Sequence, residues 1–382
     1  MKGNDFDHVP DRRGTASVKW DRYGGRDVLP LWVADMDFPA PAPVIEALAN
    51  RVRHGVFGYT HVSESLVEAV LAHVDEHYAW TIEREWLVWL PGAVPALNAA
   101  CRLIARENAV VTTTPIYPPF LAAPVNMGRQ LSEVPFDTES ERAVLDLDRL
   151  ERSFADRGKL FLFCNPHNPL GRVFTEPELV ALAERALRHD VLIVSDEVHA
   201  DLVLEPGLQH RPLAAVAPEL AARTITLLSP SKTFNLAGLG FAYAVIPDAQ
   251  LRRRFRSAID GILPYVNALA YAAAEAAYTD GWNWHAALIR YLRANRDRVT
   301  EALAALPAVG AAPPEGTYLY WMDLRDSGIE EPVRHFVRHG VGLSDGADFG
   351  APGFARLNFA CPRATLDVAL GRIAAALRTG EG

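Results

Sequence analysis

From Leu87 to about Pro247 the chain alternates short apolar runs with longer stretches whose apolar residues recur three and four positions apart. Such alternation predicts strands joined by helices in a mostly parallel sheet. Leu160 to Cys164 (LFLFC) is too short for a helix and reads as a buried strand, after which Asn165-Pro166-His167-Asn168-Pro169 breaks regular structure. A helix is predicted next: Thr175 and Glu178 have the spacing of a capping box, and Leu179, Leu182, Ala183, Ala186 and Leu187 share one helical face. Val191 to Val194 reads as a strand running into Ser195-Asp196-Glu197-Val198-His199, and Thr224 to Leu228 as another running into Ser229-Pro230-Ser231-Lys232. Three strands thus end in polar motifs. Because open α/β sheets bind ligands beyond the carboxyl ends of their strands, these motifs are expected to meet in one crevice.

Downstream the pattern changes. Ala268 to about Leu306 predicts long helix, broken around Asp280-Gly281, where the main domain boundary is expected. After a turn-rich joint at Pro307 to Pro314, a strand (Thr317 to Asp323) and helices near Glu331 to His339 and Thr365 to Arg378 predict a smaller α+β domain.

At 382 residues, 49% hydrophobic and 22% charged, the chain has room for two or three domains and the composition of a folded protein, which excludes a lone binding module or a disordered chain. A net charge of -9 with no basic block argues against a nucleic-acid partner. Cys101, Cys164 and Cys361 are odd in number and widely spaced, so neither a disulfide framework nor a thiolate metal cage is expected, and a reducing cytoplasm fits best. Met1 to Gly14 is charged and no stretch reaches about 18 apolar residues, so neither export nor membrane insertion is expected.

Only four of the 38 basic residues are lysines: Lys2, Lys19, Lys159 and Lys232. Lys232 has no acid within ten residues on either side. A buried amine without a counter-charge has a lowered pKa and is suited to bonding a carbonyl; a solvated surface charge is the bland alternative. Asp196 ends an apolar strand, where a carboxylate needs a cation unless it caps the next segment. Val88 to Leu90 leads through Pro91-Gly92-Ala93-Val94 into a helical pattern, a junction that either holds a phosphate on free N–H groups or is plain connectivity. Tyr117, on a loop stiffened by Pro115, Pro118 and Pro119, either faces a flat ligand or packs in the core. Alternation over Phe354 to Ala360 puts Arg356, Asn358 and Ala360 on one strand face, which suits Arg356 to clamping a carboxylate or to an interdomain salt bridge.

Together, the S-x-S-K lysine, the D-E-x-x aspartate and the N-P-x-N-P-x-G loop resemble the fold-type I pyridoxal-phosphate enzymes of the class I/II aminotransferase superfamily. The N-terminal stretch narrows the resemblance: Phe6-Asp7, Asp11 to Thr15, Ser17 to Trp20, Leu29 to Pro39 and His54 to Tyr59 look like the MalY/PatB branch, the cystathionine β-lyase-like C-S lyases. It extends from Phe6 to Arg363. It implies an α/β fold: a large domain, 46–280, with a mostly parallel sheet flanked by helices, and a small α+β domain, 281–382, joined by the N-terminal segment 1–45.

Carried over by position, the resemblance implies that Lys232 holds pyridoxal 5'-phosphate as a Schiff base and shuttles the substrate's α-proton, while Asp196 pairs with the ring nitrogen. Asn168 would bond the ring oxygen and help Arg356 at the substrate carboxylate, with Tyr117 stacked on the ring. Gly92, Ala93, Val94, Ser229 and Ser231 would hold the phosphate, together with Tyr59 of a neighbouring subunit, so a homodimer is implied. His199 stands three residues after the aspartate where many aminotransferases have tyrosine, and Gly240 stands eight after the lysine where many have a phosphate-binding arginine. The implied reaction is β-elimination from cystathionine or another S-substituted L-cysteine to thiol, pyruvate and ammonia. An aminotransferase and a cofactor-bearing regulatory protein are the alternatives.

Overall fold

The computed structural model describes residues 5–137 and 142–379; Lys2 and the first four residues of the charged N-terminal stretch lie outside them. The middle of the chain builds a seven-stranded sheet from β1 (Leu87–Leu90), β2 (Ala109–Thr114), β3 (Gln130–Pro135), β4 (Gly158–Cys164), β5 (Leu192–Asp196), β6 (Thr224–Leu228) and β7 (Ala242–Val245). Their spatial order is β1-β7-β6-β5-β4-β2-β3. All neighbours are parallel except β7, which runs antiparallel to both β1 and β6. The chain leaves β2 towards β3 on one side and steps through β4, β5 and β6 on the other. The loops after β2 and β4 therefore diverge, which is the arrangement that opens a crevice at the carboxyl edge.

Alternation decides which face each side chain fills. Leu160, Leu162 and Cys164 of β4 join Val110, Val194 and Leu227 on one face, while Phe161 and Phe163 join Val111 and Ile193 on the other. A helix then covers each face; the one at Glu176–Arg188 begins with the capping box of Thr175 and Glu178. Burying each such side chain contributes about 1.5–3 kcal/mol, which explains why these strands read as continuous apolar runs.

A second, four-stranded antiparallel sheet is ordered Ser344–Asp345, Phe354–Asn358, Leu319–Asp323, Gly310–Ala311. Leu29–Pro30 pairs in parallel with Val341–Gly342. One hydrophobic cluster unites Phe6, Leu31, Met36 and Phe38 from the start of the chain with Leu292, Leu319, Leu357 and Ile373 from its end. The long helical stretch is two helices, Ala268–Asp280 and Trp282–Ala304. Between them Gly281 is tight: a Cβ there would sit 2.5 Å from Ala277 O and 2.6 Å from Phe234.

Several boundaries lie a residue or two from the sequence pattern, and two of them have a clear physical reason. The strand read as Val191 to Val194 continues through Ser195 and Asp196, because Cys164 and Leu227 flank Asp196 in register and their backbones hold it in the sheet. The strand expected from Thr317 starts at Leu319, since Thr317 has φ of +69° and turns the chain first. Among the described residues, no helix is long and apolar enough to cross a membrane.

Candidate active site

Level registry brings the strand ends together. Asn165 N–H donates to Asp196 O at 3.0 Å and Glu197 N–H to Leu227 O at 2.8 Å, so the segments after β4, β5 and β6 leave the sheet side by side. Beyond β6 the chain makes a single helical turn, Pro230–Thr233, that carries Lys232. Ser229 fixes its start, with Oγ accepting from Ser231 N–H at 3.0 Å and donating to Phe241 O at 2.6 Å. Lys232 Nζ reaches across to the N-terminal segment and donates to Ala34 O at 2.7 Å.

Asp196 is buried and takes part in no ion pair shorter than 4 Å among the described residues. Its Oδ1 accepts only a long 3.3 Å bond from Val198 N–H. Burial pushes its carboxyl up to about 7, and Lys232 relieves part of that cost. Lys232 moves the other way: burial lowers its amine to about 8, with the Arg356 charge adding to the effect and Asp35 and Asp196 opposing it. His199 lies in the same field; burial, Lys232 and Arg356 hold its imidazole neutral, and its Nδ1 has no hydrogen-bond partner among the described residues. The edge of Tyr318 meets its ring at 6.0 Å.

Arg356 comes from strand Phe354–Asn358 of the second sheet. One guanidinium nitrogen donates to Asn168 Oδ1 at 2.8 Å; the other donates to Trp32 O at 2.8 Å and to Ser344 Oγ at 3.2 Å. Among the described residues no carboxylate bonds it and its Nε is unpartnered, and it lies 4.7 Å over the Phe349 ring. Burial lowers its pKa to about 10. Among the described residues Arg356 therefore makes no salt bridge. A guanidinium buried on neutral acceptors is instead ready to take a carboxylate. Tyr117 N–H donates to Asn168 O at 3.1 Å, and burial raises the Tyr117 phenol while Arg356 and Asp196 act on it. Lys232, Asp196, His199, Asn168, Tyr117 and Arg356 therefore converge.

At the edge of this group Gly92 has φ +135° and ψ 164°, a conformation open essentially to glycine, and begins the helix Ala93–Ala100 with no side-chain cap. The first-turn N–H groups, at Ala93 and Val94 among others, are left to other acceptors. Gly240 packs against this junction, where a Cβ would stand 3.2 Å from Pro91 O. The sequence marks Gly240 only as a missing arginine; close approach of two loops is its local reason.

Tyr59 is not brought to the other residues within this chain. It is 98% exposed and meets only the edge of Tyr265, itself 84% exposed, at 5.9 Å. The intrachain core is ruled out as its place. Sequence reasoning also missed four contributors: the carbonyls of Trp32 and Ala34, the Tyr318 hydroxyl that shares Ala34 O with Lys232, and Ser344. The stretch Leu29 to Pro39 carried the resemblance, but backbone carbonyls leave no mark in a sequence.

Residues 26–373 match the aminotransferase class I and II family, and the chain belongs to it. Within that family it groups with the PatB and MalY proteins. Cystathionine beta-lyase PatB of Bacillus subtilis (strain 168) is 38% identical, the match covering 97% of this chain and 99% of that one. The crystal structure of OvoB is 47% identical and superposes with a TM-score of 0.95 over 98% of this chain and 99% of that one. Cystalysin from Treponema denticola, whose crystal structure contains a pyridoxal 5'-phosphate cofactor, is 32% identical with a TM-score of 0.93 over 98% of this chain and 99% of that one.

Proposed function

We propose that this protein is a pyridoxal 5'-phosphate enzyme that cleaves the C–S bond of S-substituted L-cysteines, cystathionine among them, by β-elimination. The observation that carries the reading is the site's unmatched charge. Asp196 and Arg356 are buried, the Lys232 amine is shielded enough to be lowered, and among the described residues none of the three is neutralised by a close ion pair, so the site suits a ligand bearing a ring nitrogen, a carbonyl carbon and a carboxylate. The names of relatives such as PatB support the same reading.

The cofactor, when bound, supplies an electron sink for a carbanion at the substrate's α-carbon. The chain's own residues do the rest. Asp196 keeps the ring nitrogen protonated, and its raised pKa falls once that cation is present. Lys232, with an amine lowered to about 8, is the nucleophile that holds the cofactor and, once released, the base that takes the α-proton. Arg356, oriented by Asn168, holds the α-carboxylate, and Tyr117 covers the ring. Gly92, Ala93, Val94 and Ser231 would take the phosphate; the Ser229 hydroxyl, expected there too, is committed to Phe241 O and instead caps the turn that presents Ser231, and His199 would border the ring. With the substrate fixed this way the Cβ–S bond would break, the sulfur leaving as a thiolate that takes up a proton, and hydrolysis of the remaining three-carbon unit would give pyruvate and ammonia.

The working unit in this reading is a homodimer. Val52, Val56, Phe57, Tyr59, Ile262 and Tyr265 are each more than half exposed, an apolar set that a second copy would cover, delivering Tyr59 to its neighbour's phosphate. Incubating the holoenzyme with L-cystathionine and other S-substituted cysteines, without any keto acid, is expected to release pyruvate and thiol in equal amounts. Turnover that requires a keto-acid acceptor would replace this reading with transamination.

A further inference from the structure

Lys232 rides on a turn too short to hold itself. Its backbone closure is Phe234 N–H to Pro230 O at 2.9 Å and Leu236 N–H to Ser231 O at 2.8 Å, and among the described residues the lysine side chain has one hydrogen-bond partner, Ala34 O. Side-chain anchors at the two ends therefore set where Nζ points. Ser229 is the first. The second is Thr233, fully buried, whose Oγ1 donates to Asp201 Oδ2 at 2.9 Å.

Asp201 is placed to be such an anchor. It lies in the segment after Asp196, with its side chain 5% exposed, and Oδ1 accepts from Tyr78 Oη at 2.6 Å and lies 3.2 Å from His73 Nε2. His285 Nε2 lies 2.7 Å from its backbone oxygen. Tyr78 and His73 belong to the helix Glu64–Tyr78, and His285 to the helix Trp282–Ala304. Trp282 stacks on His73 at 4.8 Å and on His77 at 4.4 Å, closing the assembly from behind. A buried carboxylate held by Tyr78 and His73 of one helix and by Thr233 of the turn is costly to assemble, and an apolar replacement is often as stable. We propose that Asp201 is a positioning residue: through Thr233 it locks the lysine-bearing turn to two helices, so that Lys232 Nζ keeps its place in the site.

This inference rests on the role given to Lys232 above. The bland alternative is that Asp201 merely ties the helices to the sheet, and the two diverge at the Thr233 hydroxyl. The groups facing Lys232 are Asp35, Asp196, His199 and Arg356, and none changes in Thr233→Val. A loosened turn admits water to Nζ, so the titration midpoint of Lys232 in cofactor-free protein, read by pH-dependent competitive acetylation and peptide mass spectrometry, is expected to rise by about half a pH unit or more. In the holoenzyme kcat on L-cystathionine is expected to fall by roughly tenfold or more, with KM within about twofold, because misplacement affects the reacting step rather than binding. Thr233→Ser should restore both, and Thr233→Ala carries the same expectation as valine if the latter does not fold. Asp201→Asn should shift the midpoint in the same direction and add little to Thr233→Val. An unshifted midpoint in Thr233→Val, or losses that add in the double variant, would overturn the proposal. Absence of pyruvate release from the unmodified protein would instead remove β-elimination, and the acetylation comparison would still decide the role of Asp201.

Discussion

Asp196 carries the clearest electrostatic cost in the site, and that cost is measurable. Burial raises its carboxyl to about 7, against an ordinary value of 3.8 in the unfolded chain. Between those two values the folded protein binds a proton that the unfolded chain does not. The contribution of Asp196 to stability is therefore full below about pH 4 and is lost as pH rises through about 7. A tenfold change in proton affinity corresponds to about 1.4 kcal/mol, so the whole effect reaches a few kcal/mol. Asp196→Asn, which cannot ionise, is expected to melt at a higher temperature than the unmodified cofactor-free protein at pH 8 and to show little advantage at pH 4, by scanning calorimetry. The same variant should have lost nearly all turnover, since a neutral amide does not hold a ring proton. A variant with no stability gain at pH 8 would show that Asp196 is already paired without cofactor. Lys232 offsets part of the gain, because Asp196→Asn removes one of the two charges that hold its amine up. Its lowered pKa of about 8 gives stability that is gained only as pH climbs from there towards its ordinary 10.5.

At the scale of elements, the site is made where strands hand over to helices, and the handovers rest on particular conformations. Gly92 is the sharpest case. Its φ of +135° is closed to other residues, yet a Cβ would meet nothing nearer than Pro95 Cδ at 3.8 Å, so Gly92→Ala tests backbone strain without a clash. It is expected to cost about 1–3 kcal/mol of stability. Because the strain is relieved by moving the first helical turn, cofactor retention should fall as well, measured by titrating apoenzyme with pyridoxal 5'-phosphate. Unchanged retention would mean that the phosphate does not sit on this turn. The elements themselves were largely legible. The capping box of Thr175 and Glu178 and the run from Leu160 to Cys164 are local signals with local causes; the capping box appears as read, and the strand begins two residues earlier, at Gly158. The apolar run of β5 stops at Val194, but Asp196 ends the strand as read, held in the sheet with Ser195 by neighbours on both sides.

On the scale of the whole molecule, Tyr59 decides between one chain and two. If the proposed pairing holds, Tyr59→Phe removes one hydrogen bond to a charged group, worth about 1.5–3 kcal/mol, and should weaken cofactor retention without lowering the melting temperature of the apoenzyme. Mixing is more decisive. Lys232→Ala subunits and Tyr59→Phe subunits are each impaired, but in a mixed dimer with shared sites both lesions fall in one site and leave the other intact. Activity is expected to rise on mixing under subunit-exchange conditions. No rise would confine Tyr59 to its own subunit and remove the shared site.

What the sequence determined by itself were the features with short-range or purely compositional causes. Apolar runs of strand length, a helix cap, a glycine before an apolar helix and a lysine without a neighbouring acid are visible along the chain. So is the set of motifs that resembles one enzyme family. Tertiary structure decided what those features face. The carbonyls of Trp32 and Ala34 reach Arg356 and Lys232 across long stretches of chain, and Thr233 meets Asp201 only because β5 and β6 are neighbours in the sheet. Gly240 likewise acquires a reason only when Pro91 stands beside it. The physical distinction is one of range. Backbone conformation and hydrophobic periodicity are set within a few residues, whereas burial, the pKa shifts it causes and hydrogen bonds to main-chain carbonyls exist only once distant segments have packed and excluded water.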